Sequence, residues 1–185
     1  MAGTKPLEGK VAWVAGATRG AGRGIAVALG EAGAIVYCTG RSVRGAVATE
    51  GRTETLEETA ERVTAAGGQG IALRCDHLAE AEVAAVAATI QAAHGGLDVL
   101  VNDIWGGDAH VEFGVPFWAG DVSKARRILD VAIGTHLVTA RHAIPLMLAR
   151  PGALLVEITD GDTFHYRGHV AYDLAKLCTI RLAFD

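Results

Sequence analysis

The sequence predicts an α/β fold: a doubly wound parallel sheet with helices on both faces, built as one domain. Short apolar runs alternate with amphipathic helical patterns along the whole chain. The first run, Val11-Ala12-Trp13-Val14-Ala15, passes through a glycine-punctuated turn into a helical pattern, and no linker or low-complexity segment divides the 185 residues. Two strands flanking one helix must pair in parallel, because the crossover returns the chain in the same direction.

Lys10 to Ala15 reads as the first strand and Gly20 to Ala32 as the first helix, closed by Gly33. Ala34 to Thr39 is a second apolar strand, bounded by Gly40, and the polar stretch Arg41 to Arg52 is a loop. Thr55 with Glu58 forms a capping box for a helix carried by Leu56, Ala60 and Val63, which Gly67-Gly68 stops. Ile71 to Cys75 is a third strand. Val83, Val86, Ala87 and Ile90 mark a helix ending near Gly95-Gly96, and Leu97 to Val101 is a fourth strand. Asp103 to Gly120, with Trp105, Phe113, Phe117 and Trp118, is a long loop at the end of a buried strand, where functional loops concentrate. Its rings serve as an apolar wall to a site or as core packing. Ala125, Ile128, Leu129, Ala132, Ile133, Leu137, Ala140 and Ile144 share one stripe of the longest helix, which Pro145 bends or ends. Ala153 to Ile158 is a fifth strand and Val170 to Phe184 a final helix.

Composition narrows the function classes. Half the residues are hydrophobic, four are proline, and the formal charge is −4, so there is no electrostatic footprint for nucleic acid or an acidic membrane. Cys38, Cys75 and Cys178 are too far apart for a zinc pair or a disulfide framework and read as reduced thiols. The seven histidines show no metal-binding spacing, and no metal is expected. The N-terminus lacks the apolar run of a signal peptide, and no segment reaches the roughly 18 apolar residues of a membrane span, so a cytoplasmic location is expected. Small-molecule chemistry is the remaining class.

Gly16, Gly20 and Gly22 stand in a G-x-x-x-G-x-G spacing between strand and helix. Such a turn presents backbone N–H groups and a helix N-terminus to a phosphate, which points to a dinucleotide. Asp76 follows the third strand, and Asn102 opens Asn102-Asp103-Ile104-Trp105-Gly106 after the fourth. Near the end lies Tyr172-Asp173-Leu174-Ala175-Lys176, where positions i and i+4 share one helix face. With these landmarks the sequence resembles the short-chain dehydrogenase/reductase family over nearly its whole length. The family's turn reads T-G-x-x-x-G-I-G, so Ala15 and Ala21 depart from it, and its N-N-A-G is kept here only at the first asparagine.

The resemblance implies a Rossmann-type, three-layer αβα domain over residues 1–185. It implies a cofactor held by Gly16, Thr18, Arg19, Gly20 and Gly22, with Asp76 against the adenine and Asn102 nearby. Tyr172 is the implied general acid/base, and Lys176 is expected to lower the tyrosine pKa and hold the nicotinamide ribose. Counting back 13 residues from Tyr172 puts the family's serine at Thr159, whereas alignment on the strand puts it at Asp160; Thr159 is favoured. The family's helix asparagine falls on Ala132; His136, one turn on, either substitutes for it through water or is a packed helix histidine, and the second reading is favoured. Arg41 ends the second strand with no acid until Glu50, and Arg19 stands in the turn, so the expected cofactor is NADP(H), whose 2′-phosphate suits guanidinium groups. Dimers or tetramers are expected through Val122 to Leu148 and Val170 to Phe184. The chain stops at Asp185, where the family continues into two more strands and a substrate-covering segment, so a truncated domain is expected. The activity implied is hydride transfer between the nicotinamide and a small carbonyl or alcohol substrate; the alternative is an inactive dinucleotide-binding module.

Overall fold

The computed structural model describes residues 5–49, 51–161 and 165–185. Among these, five strands form one parallel sheet in the order β3-β2-β1-β4-β5, with β1 at Val11–Ala15, β2 at Ile35–Gly40, β3 at Gln69–Arg74, β4 at Val99–Asn102 and β5 at Leu154–Glu157. Six α-helices alternate with them: α1 (Gly20–Glu31), α2 (Leu56–Ala65), α3 (Glu80–His94), α4 (Val122–Leu129), α5 (Thr135–Met147) and α6 (Val170–Phe184). The predicted strands are all present, with ends displaced by one or two residues.

β1 is central and buried on both faces, and its alternating side chains divide the core. Val11 and Trp13 pack with Val83, Ile90, Ala143 and Leu146 from α3 and α5, while Ala12 and Val14 pack with Ala26, Leu56 and Val63 from α1 and α2. The predicted capping box starts α2: Glu58 N–H donates to Thr55 Oγ1, and Thr55 N–H donates back to the Glu58 carboxylate.

Strand order reverses between β1 and β4, and this switch point sets the site. Ala15 lies level with Thr39 of β2 and Asn102 of β4, and Asn102 lies level with Glu157 of β5. The chain segments leaving these four positions therefore open onto one crevice at the carboxyl edge.

The long helix departs from its predicted stripe. α4 and α5 are joined by a π turn at Asp130–Gly134, and the helix runs past Pro145 to Met147. Leu137 and Ile144, expected inside, are exposed, while Thr135, His136 and Thr139 are buried. Apolar periodicity passes over these polar residues because their hydrogen bonds are made inside the protein: Thr135 Oγ1 donates to Val131 O at 2.9 Å and Thr139 Oγ1 to Thr135 O at 2.7 Å.

Candidate active site

The glycine turn after β1 is shaped by close backbone approach. Gly16 has φ +92°, and a Cβ there would lie 2.3 Å from the Asp103 carbonyl oxygen. A Cβ on Gly22 would lie 2.4 Å from Gly16 O and 2.8 Å from Asp103 Oδ2. Asp103 replaces the family's second asparagine and takes the Gly22 N–H; burial raises its carboxyl above the ordinary value, against that hydrogen bond and the pull of Lys176. Gly20, at φ +58°, faces open space, and Arg19 at the N-cap of α1 supplies no side-chain cap. Asp103 thus takes one first-turn N–H of α1, and the cap position ahead of it carries no side-chain hydrogen bond, which leaves Gly20 and Ala21 facing the crevice side of a positive helix end.

Arg19 Nη2 donates to Thr49 Oγ1 at 2.7 Å, whereas its Nη1 is buried with no partner among the described residues. A buried guanidinium nitrogen without an acceptor fits an anionic group of a ligand. Thr18 is buried below the turn, and Arg41 is exposed just after β2. Asp76 Oδ1 accepts the Leu78 N–H at 3.0 Å, so one carboxylate oxygen shapes the turn after β3. Glu50, the first acid after the second strand, lies outside the described residues.

At the other side of the crevice, α6 presents Tyr172 and Lys176 on one face, as their spacing predicts. Tyr172 Oη donates to Asp160 Oδ2 at 2.6 Å, and Lys176 Nζ lies 3.5 Å from Asp160 Oδ1 and 4.3 Å over the Trp105 ring. Arg167 completes the cluster, 3.4 Å from Asp160 Oδ2 and 3.1 Å from Asp173 Oδ1. Trp105 and Phe113 meet the Tyr172 ring edge-on at 5.4 and 5.8 Å, so at least these two loop aromatics wall the site.

Two expectations are corrected here. The Thr159 hydroxyl donates to Lys176 O at 2.9 Å and accepts the Gly161 N–H at 3.1 Å, so it braces the backbone of α6; the side chain that meets Tyr172 is Asp160. The expected lowering of the tyrosine is not seen, and the pull of Arg167 is outweighed. Burial pushes the Tyr172 phenol up to about 12, and the hydrogen bond to Asp160 adds to the rise by favouring the neutral form. Burial raises the Asp160 carboxyl too, but the Tyr172 hydrogen bond, Lys176 and Arg167 outweigh it and hold the group below its ordinary value.

Sequence reasoning missed a polar network at the back of the crevice. Asn102 Nδ2 donates to Glu157 Oε1 at 2.8 Å, the other Glu157 oxygen pairs with His136 Nδ1, and His136 Nε2 meets Ile104 O at 3.0 Å. The Glu157 and His136 side chains are 2% and 3% exposed, and Asn102 Oδ1 is buried without a partner among the described residues. One signal was available: a carboxylate at the end of an apolar strand needs a buried partner. Ala132, at the family's asparagine position, sits buried in the π turn, and His136 is indeed a packed helix residue.

A parallel sheet whose switch point carries a glycine turn, with a Tyr-x-x-x-Lys helix on the same edge, is the arrangement of a dinucleotide-binding α/β domain. A family model described as short chain dehydrogenase matches residues 10–183, and the chain belongs to that family. It is 32% identical over 183 residues to dehydrogenase/reductase SDR family member 1 of Homo sapiens, covering 97% of this chain and 55% of that protein. It is 31% identical over 173 residues to a 7alpha-hydroxysteroid dehydrogenase of Clostridium sardiniense, covering 93% and 62%. A metagenomic short-chain oxidoreductase solved in complex with NADP superposes with a TM-score of 0.77 at 29% identity, covering 96% of this chain and 74% of that one. The chain therefore spans a little over half the length of the curated relatives it matches.

Proposed function

We propose that this chain forms the cofactor-binding and catalytic part of an NADP(H)-dependent oxidoreductase acting on a small carbonyl or alcohol substrate. The observation that carries the reading is the convergence of the Gly16–Gly22 turn and the Tyr172/Lys176 pair on one carboxyl edge. Gly16, Thr18 and Gly20 hold the pyrophosphate at the N-terminus of α1, Gly22 gives the close backbone approach there while its N–H is taken by Asp103, Asp76 and Asn102 flank the dinucleotide, and Arg19 and Arg41 receive the 2′-phosphate. Arg19 Nη1, which has no partner among the described residues, supports the last assignment, as does the NADP in the metagenomic relative.

When bound, the nicotinamide supplies or accepts the hydride. Tyr172 exchanges the proton at the substrate oxygen, Lys176 holds the ribose and orders the cluster, and Thr159 fixes the backbone of α6 without touching the substrate. The exposed Leu137, Ile144, Leu174, Ile180 and Phe184 on α5 and α6 support assembly of copies through these helices, and no described helix is long and apolar enough to cross a membrane, in keeping with a cytoplasmic enzyme.

Ala132 in place of the helix asparagine, and a carboxylate at Tyr172, favour a second reading: dinucleotide binding without turnover. Titration of NADPH fluorescence, followed by its consumption with a panel of aldehydes and ketones and of NADP+ with the matching alcohols, decides between them. Turnover that Tyr172→Phe abolishes supports the enzyme; binding with no turnover in either protein supports the second reading; absence of binding overturns both.

A further inference from the structure

We propose that Asp160 is the proton acceptor behind Tyr172, and that the two side chains form a dyad suited to taking the proton of an alcohol O–H. This rests on reading the chain as a hydride-transferring oxidoreductase.

The geometry has three parts. The Tyr172 Oη to Asp160 Oδ2 distance of 2.6 Å is that of a charge-assisted O–H···O⁻ bond, with the phenol as donor. Two cations face the carboxylate, Lys176 Nζ at 3.5 Å and Arg167 Nη1 at 3.4 Å, and Arg167 is itself fixed by Asp173 and by the Asp160 carbonyl. Asp160 is also 58% exposed at its side chain, so a proton that arrives there leaves directly to water. The other titratable groups facing the pair are Asp108, which raises the phenol further, and His169, whose Nδ1 accepts the Tyr172 backbone N–H.

An ionised carboxylate cannot donate to a carbonyl oxygen, so Asp160, the side chain that meets Tyr172 among the described residues, does not polarise a ketone or aldehyde. The dyad suits the opposite direction. The carbinol C–H bond breaks with its electron pair leaving as hydride to the oxidised dinucleotide, and the alcohol O–H proton passes to Tyr172 Oη. The phenol's own proton crosses to Asp160 Oδ2, the C=O bond forms, and Asp160 releases the proton to solvent. Tyr172 never has to exist as a free phenolate, which matters because its phenol ionises only at about 12. Reduction uses the same path reversed and needs a proton on Asp160, so it is favoured by acid. Asp160 acts through Tyr172 and is a positioning residue.

The test begins without cofactor, by following tyrosinate absorbance near 295 nm against pH in the wild type, Asp160→Asn and Asp160→Ser, with Tyr172→Phe subtracting Tyr37 and Tyr166. Both Asp160 variants are expected to lower the Tyr172 ionisation by at least one pH unit; an unchanged titration in variants with native circular dichroism overturns the dyad. A second measurement follows kcat/KM for alcohol oxidation against pH. The wild type should stay level from alkaline pH down to the carboxylate range, and Asp160→Asn should fall tenfold per pH unit below the tyrosine's ionisation. A wild-type profile that climbs tenfold per unit through neutrality overturns the proposal. NADPH titration of the same proteins separates the two readings: if the wild type binds no dinucleotide, the oxidoreductase reading fails, while the tyrosine titration still decides whether the dyad exists.

Discussion

Replacing Glu157 tests whether the buried network is a matched hydrogen-bond set or a stored ion pair. His136 faces two acceptors, Ile104 O and the Glu157 carboxylate, so the set closes only with ring protons on both nitrogens or with a proton on Glu157. Glu157→Gln satisfies the second arrangement without charge: its amide oxygen accepts from Asn102 Nδ2 and its N–H donates to His136 Nδ1. The shape is kept, and the expected loss is below about 1.5 kcal/mol, the net worth of one ordinary hydrogen bond. Glu157→Ala instead removes the partners of Asn102 and His136 at positions 0% and 2% exposed, leaving both amide protons and one imidazole nitrogen unpaired. Removing one member of a buried pair costs about 3–5 kcal/mol, which for a chain of this size lowers Tm by roughly 6–20 °C. Urea unfolding at neutral pH, with a double-mutant cycle through His136→Ala, measures both. Equal destabilisation by Gln and Ala would refute the hydrogen-bond reasoning and mean that the charge itself is needed.

Three further outcomes follow from the same geometry. His77 is buried between Thr39 and Thr139, where burial, helped by His136, lowers its pKa to about 4 from the ordinary 6.5. The unfolded chain binds that proton first, so stability is full above pH 6.5 and is lost as pH falls toward 4, by on the order of 3 kcal/mol; urea unfolding across the window should show this in the wild type and not in His77→Gln. Gly16→Ala combines φ +92° with a Cβ 2.3 Å from Asp103 O, so it should lose about 3 kcal/mol or more and all measurable NADPH binding; a calorimetric Tm within 2 °C of wild type would contradict it. Arg19→Ala and Arg41→Ala should each weaken NADPH by about 10- to 100-fold in fluorescence titration, the worth of a charge-assisted phosphate bond, with NADH affinity unchanged; parallel losses for both cofactors would remove the 2′-phosphate assignment.

The fold was legible because each of its devices is local. The β1 run, the glycine turn and the Thr55/Glu58 box each specify their own geometry within a few residues, and five apolar runs separated by helices leave one topology class open. What was hidden in the core was its polar part. Thr139 and Glu157 look like surface residues to any hydrophobic pattern, and although His136 reads as packed, only the three-dimensional pairing of β5 with β4 and α5 shows which partners each of the three has inside. The loop aromatics were undecided for the same reason, since Trp105 finds its role only beneath Lys176 and beside Tyr172, 67 to 71 residues further on.

The choice between Thr159 and Asp160 shows where reading by spacing stops. Along a strand, alternation assigns every residue a face, so counting is safe as far as Glu157, the last residue in the β5 ladder. Counting back from Tyr172 is safe only to the start of α6 at Val170, and the segment between obeys neither period. A one-residue error there exchanges the two side chains: one turns to the backbone carbonyl of Lys176, the other to the phenol of Tyr172. The chemical stakes of that single step are large, because a hydroxyl at the phenol would stabilise a developing oxyanion and a carboxylate would take up a proton. The loop bond that decides it, Arg167 to the carbonyl and carboxylate of Asp160, spans seven residues and follows no motif spacing. The family resemblance therefore identifies the two ends of the segment, and the ion pairs of Arg167 with Asp160 and Asp173 between them determine which side chain meets the Tyr172 phenol.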